Sequence, residues 1–239
     1  MVVSDVDSAA ATIASVVVVV PVRNEQRLLA PCLAALRDSA EQVPVPVRIQ
    51  VVLDACTDRS ARVADAAGAE VVHIDERNVG AARAAGFAAA GAGCDARTWF
   101  ATTDADSRVD RFWLTRQLHY ARAGMRLVVG VVTVSDWEQH PPEVRRRYEA
   151  GYRTVARTTR IHGASLGFGA DIYWRAGGFA KIATGEDVDL VRRIRAAGAR
   201  VAWAEDVVAV TSARQDGRAP EGFAAHLRNL APSPEAGHV

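Results

Sequence analysis

Residues 13–25 read IASVVVVVPVRNE, and the reading of the whole chain turns on them. Ile13–Val20 is an unbroken, mostly β-branched run without polar alternation. A strand with one wet face alternates; an unbroken one is covered on both faces, as in a parallel sheet. At about eight residues the run is far short of the roughly 20 that cross a membrane, and Pro21 stops it. Asp5 and Asp7 precede it without any cation, so it does not read as the apolar core of a signal peptide. The polar residues that follow, Arg23 and Glu25, fall at the carboxyl end of the strand, where open α/β sheets bind ligands.

Working outward, the same unit recurs. Leu28, Leu29, Cys32, Leu33 and Leu36 have helical spacing, with Pro31 suited to a first turn. Val43–Val47 is a proline-punctuated loop and Ile49–Leu53 a second buried strand. Asp58–Ala67 is a helix closed by Gly68, Ala69–Ile74 a third strand, and Asn78–Ala90 an Ala-rich helix. Thr98–Thr103 is a fourth strand, Phe112–Ala123 a helix and Leu127–Val134 a fifth strand. This alternation implies an α/β fold with a mostly parallel, Rossmann-like sheet flanked by helices. Beyond residue 135 the pattern changes. Asp136–Arg160 carries an Arg-rich, Tyr-bearing helix, Gly163–Gly169 is a glycine-spaced extended stretch, and Glu186–Ala197 is a helix. Short strands follow at Val201–Trp203 and Val207–Val210. Residues 1–11 and 231–239 read as flexible tails around a single domain spanning 12–230.

Composition narrows the function. With 239 residues, 49% apolar and 24% charged, the chain is in the globular range. Its 29 Lys+Arg against 28 Asp+Glu give a net charge of +1, without the basic excess of a nucleic-acid binder. Cys32, Cys56 and Cys94 are odd in number and far apart, which speaks against zinc and disulfides and for reduced thiols in a cytoplasmic protein.

The candidates for chemistry sit just after the strands. Asp104 and Asp106 follow the fourth strand; two carboxylates there can hold a divalent cation that bridges phosphate oxygens, or can cap the next helix. Two other D-x-D triplets, Asp5-Asp7 and Asp187-Asp189, lack that context. Asp54 ends the second strand in VVLDACTD, suited to a base N–H or to an Asx turn. Asn78, Gly80 and Arg83 open NVGAARAAG, either as a helix cap with close-packing glycine or as a site where Arg83 meets phosphate. Glu186 and Asp187 open a helix in ATGEDVDL. Thr184-x-x-Asp187 reads as a capping box, and the same carboxylate could serve as a general base. Arg214 and Arg218 could clamp a diphosphate or lie in a solvated loop. His226 is a weak candidate metal ligand.

The order VVVPVRNE, VVLDACTD, NVGAARAAG, TTDADS, GEDVDL resembles the nucleotide-diphospho-sugar transferases of the GT-A fold, and more narrowly glycosyltransferase family two, over roughly residues 14–225. The resemblance implies a nucleotide-sugar-binding half (12–110) and an acceptor-side half (111–230). It implies Mn²⁺ or Mg²⁺ as cofactor, a nucleotide-sugar donor with UDP favoured, and an acceptor hydroxyl on a small molecule, lipid or glycan. Pro21, Arg23 and Glu25 would contact the nucleotide, Asp54 the base, Asn78, Arg83 and Asp104 the donor, Asp106 with Asp104 the cation. Asp187, beside Glu186, would be the catalytic base. Leu53 stands where the family commonly has another acid. The family's Q-x-x-R-W motif is absent, leaving Arg214 and Arg218 as substitutes. No C-terminal spanning helices are expected, though the six arginines of 145–160 suggest an acceptor-side segment and peripheral membrane contact. The rivals are a sugar-phosphate nucleotidyltransferase, a haloacid-dehalogenase-type phosphatase and a non-catalytic nucleotide-sugar-binding domain.

Overall fold

The computed structural model describes residues 12–91, 96–134, 136–154, 156–214 and 223–231. Residues 1–11 and 232–239 of the expected tails, together with Cys94 and Arg218, lie outside the described residues. So do the side chains of Arg153, Arg157 and His226.

The valine run becomes β1 (Ser15–Val22), at the middle of a parallel group with β2 (Val47–Asp54), β3 (Glu70–Ile74) and β4 (Thr98–Thr102). Their order is β3-β2-β1-β4, with α1 (Leu29–Ala40), α2 (Ser60–Ala66) and α3 (Val79–Ala89) in the crossovers. Both faces of β1 are covered, as its lack of alternation requires. Val16, Val18 and Val20 pack with Leu29, Leu33 and Leu36 of α1 and with Trp113 and Leu114. Val17 and Val19 pack with Phe87, Phe100, Phe168 and Tyr173. The last two rings stack with centroids 5.3 Å apart.

The second half continues the same sheet. β7 (Leu166–Gly169) lies antiparallel to β4, β6 (Leu127–Val134) antiparallel to β7, β8 (Val201–Thr211) parallel to β6, and β5 (Ser107–Val109) antiparallel to β8. The sheet is thus eight-stranded and mixed, with the parallel pairings of β1–β4 at one side. Helices α4 (Trp113–Arg122), α5 (Pro142–Thr154), α6 (Ala170–Arg175), α7 (Glu186–Ala196) and α8 (Phe223–Asn229) complete the chain.

Two departures from the sequence reading bear on the site. The strands expected at 201–203 and 207–210 are one strand, because Glu205 and Asp206 turn outward at an irregularity opposite Val129–Val131 while the backbone continues. Asp206 there accepts a hydrogen bond from the Tyr120 hydroxyl at 2.8 Å. The three-residue β5 carries no periodicity, being too short to show one. It pairs Ser107 with Thr211 and so draws Asp106 against the end of β8.

Candidate active site

A cleft of about 930 Å³ opens where β1, β2 and β4 end, and its wall is completed by the start of α7 and the end of β8. Pro21, Arg23, Glu25, Asp54, Asn78, Arg83, Asp104, Asp106, Glu186, Asp187 and Arg214 all line it. The structure therefore gathers most of the residues that the motifs single out, Gly80 lying instead against Ala180.

The loops around the cleft are fixed by side chain–backbone bonds. Asn24, at φ 56°, accepts from the Thr57 and Asp58 N–H groups at 2.8 and 3.3 Å, and Asp58 accepts from Gln26 N–H at 3.0 Å. The loops after β1 and β2 are thereby clasped together. Asp54 is 3% exposed, and its carboxylate accepts three backbone N–H bonds, from Glu76 (2.8 Å), Arg77 (2.7 Å) and Asn78 (2.7 Å). These bonds are not an Asx turn toward Asp58: Asp54 shapes the loop that leads into α3. Asn78 caps α3 by accepting from Ala81 N–H at 2.9 Å, and its side-chain amide donates to the Ile182 carbonyl at 2.8 Å.

Two guanidinium groups organise the acids. Arg83, 2% exposed, donates to Asp104 Oδ1 at 2.7 Å and to Glu186 Oε1, and stacks over Phe179 at 5.4 Å. Arg214 donates through Nη1 to both oxygens of Glu25, at 2.6 and 2.7 Å, and its Nη2 lies 2.9 Å from Asp106 Oδ2. Each aspartate of the D-x-D triplet is thus held by an arginine, and each arginine by a buried glutamate. Burial pushes the Asp106 carboxyl up to about 6 against the pull of Arg214, with Asp104 and Glu25 adding to the rise. Burial likewise raises Glu186, opposed by Arg83. For Arg83 and Arg214 burial disfavours the charge, but the surrounding carboxylates outweigh it and both stay firmly protonated.

Asp187 does not close a capping box. The residue before α7 is Gly185 in the left-handed region at φ 75°, and no side chain caps the helix. Asp187 instead accepts from Gly163 N–H at 2.7 Å and from Val188 N–H at 2.7 Å. A side chain on Gly163 would come within 2.3 Å of Arg83 Nη2, so only glycine lets this loop approach. Gly163 and His162, which also line the cleft, carry no motif; the glycine spacing of 163–169 was their one visible signal.

The segment after residue 137 packs Val144 and Tyr148 on Ala213 and Leu227, adjoining Arg214. Its exposed arginines pair with acids of the same helix: Arg145 with Glu149, Arg146 and Arg147 with Glu143.

Among the described residues no group of three or more His, Cys, Asp or Glu is arranged to hold a metal ion. Asp104 and Asp106 both line the cleft, and a cation of the Mg²⁺ or Mn²⁺ kind commonly takes one or two carboxylates and completes its shell with substrate phosphates and water.

The family model for glycosyl transferase family 2 matches residues 17–177. The chain belongs to this family. No match was found among curated proteins. Similar solved structures include a mannosyltransferase from Pyrobaculum calidifontis in complex with GDP-Man and Mn²⁺, with TM-score 0.65 and 20% identity over 87% of this chain and 60% of that one. S. aureus TarS 1–349 with UDP-GlcNAc has TM-score 0.66 and 12% identity, over 90% of this chain and 65% of that one. Glucosyl-3-phosphoglycerate synthase from Mycobacterium tuberculosis with Mn²⁺, UDP and glucosyl-3-phosphoglycerate has TM-score 0.59 and 18% identity, over 91% of this chain and 77% of that one. The family 2 domain described here thus has the GT-A fold and spans 60–65% of the length of the first two structures. Among its described residues no helix is long and apolar enough to cross a membrane.

Proposed function

We propose that this family 2 domain moves one sugar from a nucleotide sugar to an acceptor hydroxyl, with inversion at the anomeric carbon. The observation that carries the reading is that Asp106, Asp187 and Arg214 line one cleft at the carboxyl ends of the parallel strands. Asp106, with Asp104, would hold Mn²⁺ or Mg²⁺. When bound, such a cation supplies positive charge to the departing nucleoside diphosphate.

The protein's own groups do the rest. Arg214 presents a guanidinium fork, which matches phosphate oxygens. Arg83 is boxed in by Glu186 and Asp104 and acts as a positioning residue that fixes the Asp104 carboxylate. Pro21, Arg23 and Glu25 form the nucleotide side of the cleft. Asp54 keeps the β3–α3 loop in place as the wall against the base. Asp187, aimed by the Gly163 and Val188 N–H groups, accepts the proton of the acceptor hydroxyl as its oxygen attacks the anomeric carbon. The bond from that carbon to the diphosphate oxygen breaks as the new one forms. UDP is the favoured nucleotide.

The test is Asp187→Asn. An amide keeps the shape and can accept the Gly163 bond, but cannot take a proton. Nucleotide and cation binding should persist while transfer falls about 100-fold or more. Transfer at near-native rate would remove Asp187 as the base.

A further inference from the structure

The arrangement around Arg214 has a consequence for how ligands enter the site. Arg214 lies on Asp106, the carboxylate assigned to the cation, with Nη2 2.9 Å from Oδ2. The other oxygen, Oδ1, faces the hydroxyls of Ser107 and Thr211 at 3.4 and 3.5 Å. The Asp106 side chain is only 13% exposed, so a guanidinium and a cation compete for the same carboxylate. The second arginine of the site is differently placed. Arg83 is sealed between Glu186, Asp104 and the Phe179 ring, whereas the Arg214 side chain is 22% exposed and faces the cleft. Its Nη1 is anchored on both oxygens of the buried Glu25, which leaves the Nη2 arm to change partner about that anchor.

We propose that Arg214 occupies the cation's carboxylate until a nucleoside diphosphate draws it away, so that cation and nucleotide bind as a coupled pair. Two observations support this. Without the diphosphate the described residues offer too few ligands for a closed cation site. A diphosphate also offers Arg214 acceptors that suit its planar fork at least as well as a single carboxylate oxygen. Exchange of one arm then clears Asp106 and places the guanidinium on the anion in the same movement. The pivot is Glu25, a positioning residue here. Coupling of this kind is reciprocal: nucleotide tightens the cation by the same factor as the cation tightens nucleotide. The inference rests on the proposed assignment of Asp106 to the cation.

The experiment is a Mn²⁺ titration of the full chain, followed by electron paramagnetic resonance, without nucleotide and with UDP or GDP. Wild type should bind Mn²⁺ weakly alone and more tightly with nucleotide, by a factor within the usual range of about 5- to 150-fold. Arg214→Met should bind Mn²⁺ alone about tenfold more tightly or better, with the coupling to nucleotide largely lost. Arg214→Lys keeps the charge but cannot bridge both acids, and should also bind Mn²⁺ alone more tightly than wild type. Glu25→Gln should act in the opposite direction, because it leaves the Arg214 charge to Asp106. Unchanged or weaker Mn²⁺ binding by Arg214→Met overturns the proposal, and so does an Arg214→Lys protein indistinguishable from wild type, which would reduce the effect to net charge. If Arg214→Met does not fold, Arg214→Lys and Glu25→Gln decide the matter alone. Failure of both UDP and GDP to bind with Mn²⁺ would count against the proposed function, while the nucleotide-free comparison would still decide the role of Arg214.

Discussion

Removing Glu186 tests the scaffold under the site. Its carboxylate and that of Asp104 are the two acids bonded to Arg83, which is 2% exposed. Glu186→Ala leaves a buried guanidinium with one partner, Asp104, whose side chain is 38% exposed. Breaking a buried pair from one side typically costs about 3–5 kcal/mol. Asp104 retains part of the compensation, so a loss near the lower end, about 3 kcal/mol, is expected. For a chain of this size that lowers Tm by about 6–12 °C. Glu186→Gln still offers an acceptor and should cost about 1–2 kcal/mol. The double variant Arg83→Met/Glu186→Leu removes both charges and should recover most of the loss. Arg83→Met alone adds a pH signature. Burial already raises the Glu186 carboxyl with Arg83 beside it, and without Arg83 it rises further. A carboxyl raised in the folded state stabilises below its unfolded pKa, and that contribution is lost as pH rises through the folded value. Arg83→Met should therefore be relatively more stable at acid than at alkaline pH. Thermal unfolding across pH, read by circular dichroism, measures all four proteins. A Glu186→Ala loss below about 1 kcal/mol would refute the account of Arg83 and Glu186 as a buried scaffold.

Asp54→Asn places an amide donor against backbone N–H groups in a side chain that now accepts three of them, and should cost about 1–3 kcal/mol in urea unfolding; an unaltered midpoint would mean that the loop holds itself. Gly80→Ala would bring a Cβ to 2.1 Å from the Ala180 carbonyl, forcing α3 away from the segment leading into α7. Overpacking of this kind typically costs about 1–3 kcal/mol, and a fully stable variant would contradict the close approach.

The parallel half was legible because burial on both faces leaves an unmistakable mark. Val16–Val20 alternate between two cores, and a strand that must satisfy both cannot afford polar residues. The site acids were legible for a related reason: they stand where those apolar runs stop. What connects them was not. Arg83 meets Glu186 across 103 positions and Arg214 meets Glu25 across 189, pairings that no local spacing encodes. Asp187 misled in a similar way. Thr184-x-x-Asp187 has the form of a capping box, yet the partner of the carboxylate is Gly163 N–H, 24 residues earlier. The three-residue β5 escaped because periodicity needs more length than it has, and Glu205-Asp206 broke the apolar pattern of β8 without breaking the strand.

The central claim is that this cleft binds a nucleoside diphosphate through a cation on Asp106. Calorimetric titration of UDP and GDP, with Mn²⁺ and with chelator, on wild type and on Asp106→Asn, tests it most directly. The account predicts binding to wild type with Mn²⁺, a loss of at least about tenfold in affinity with chelator, and the same loss in an Asp106→Asn protein that stays folded, with Tm lowered by no more than about 2–8 °C. Equal affinity with and without the cation, or an Asp106→Asn protein that binds as wild type does, would contradict it.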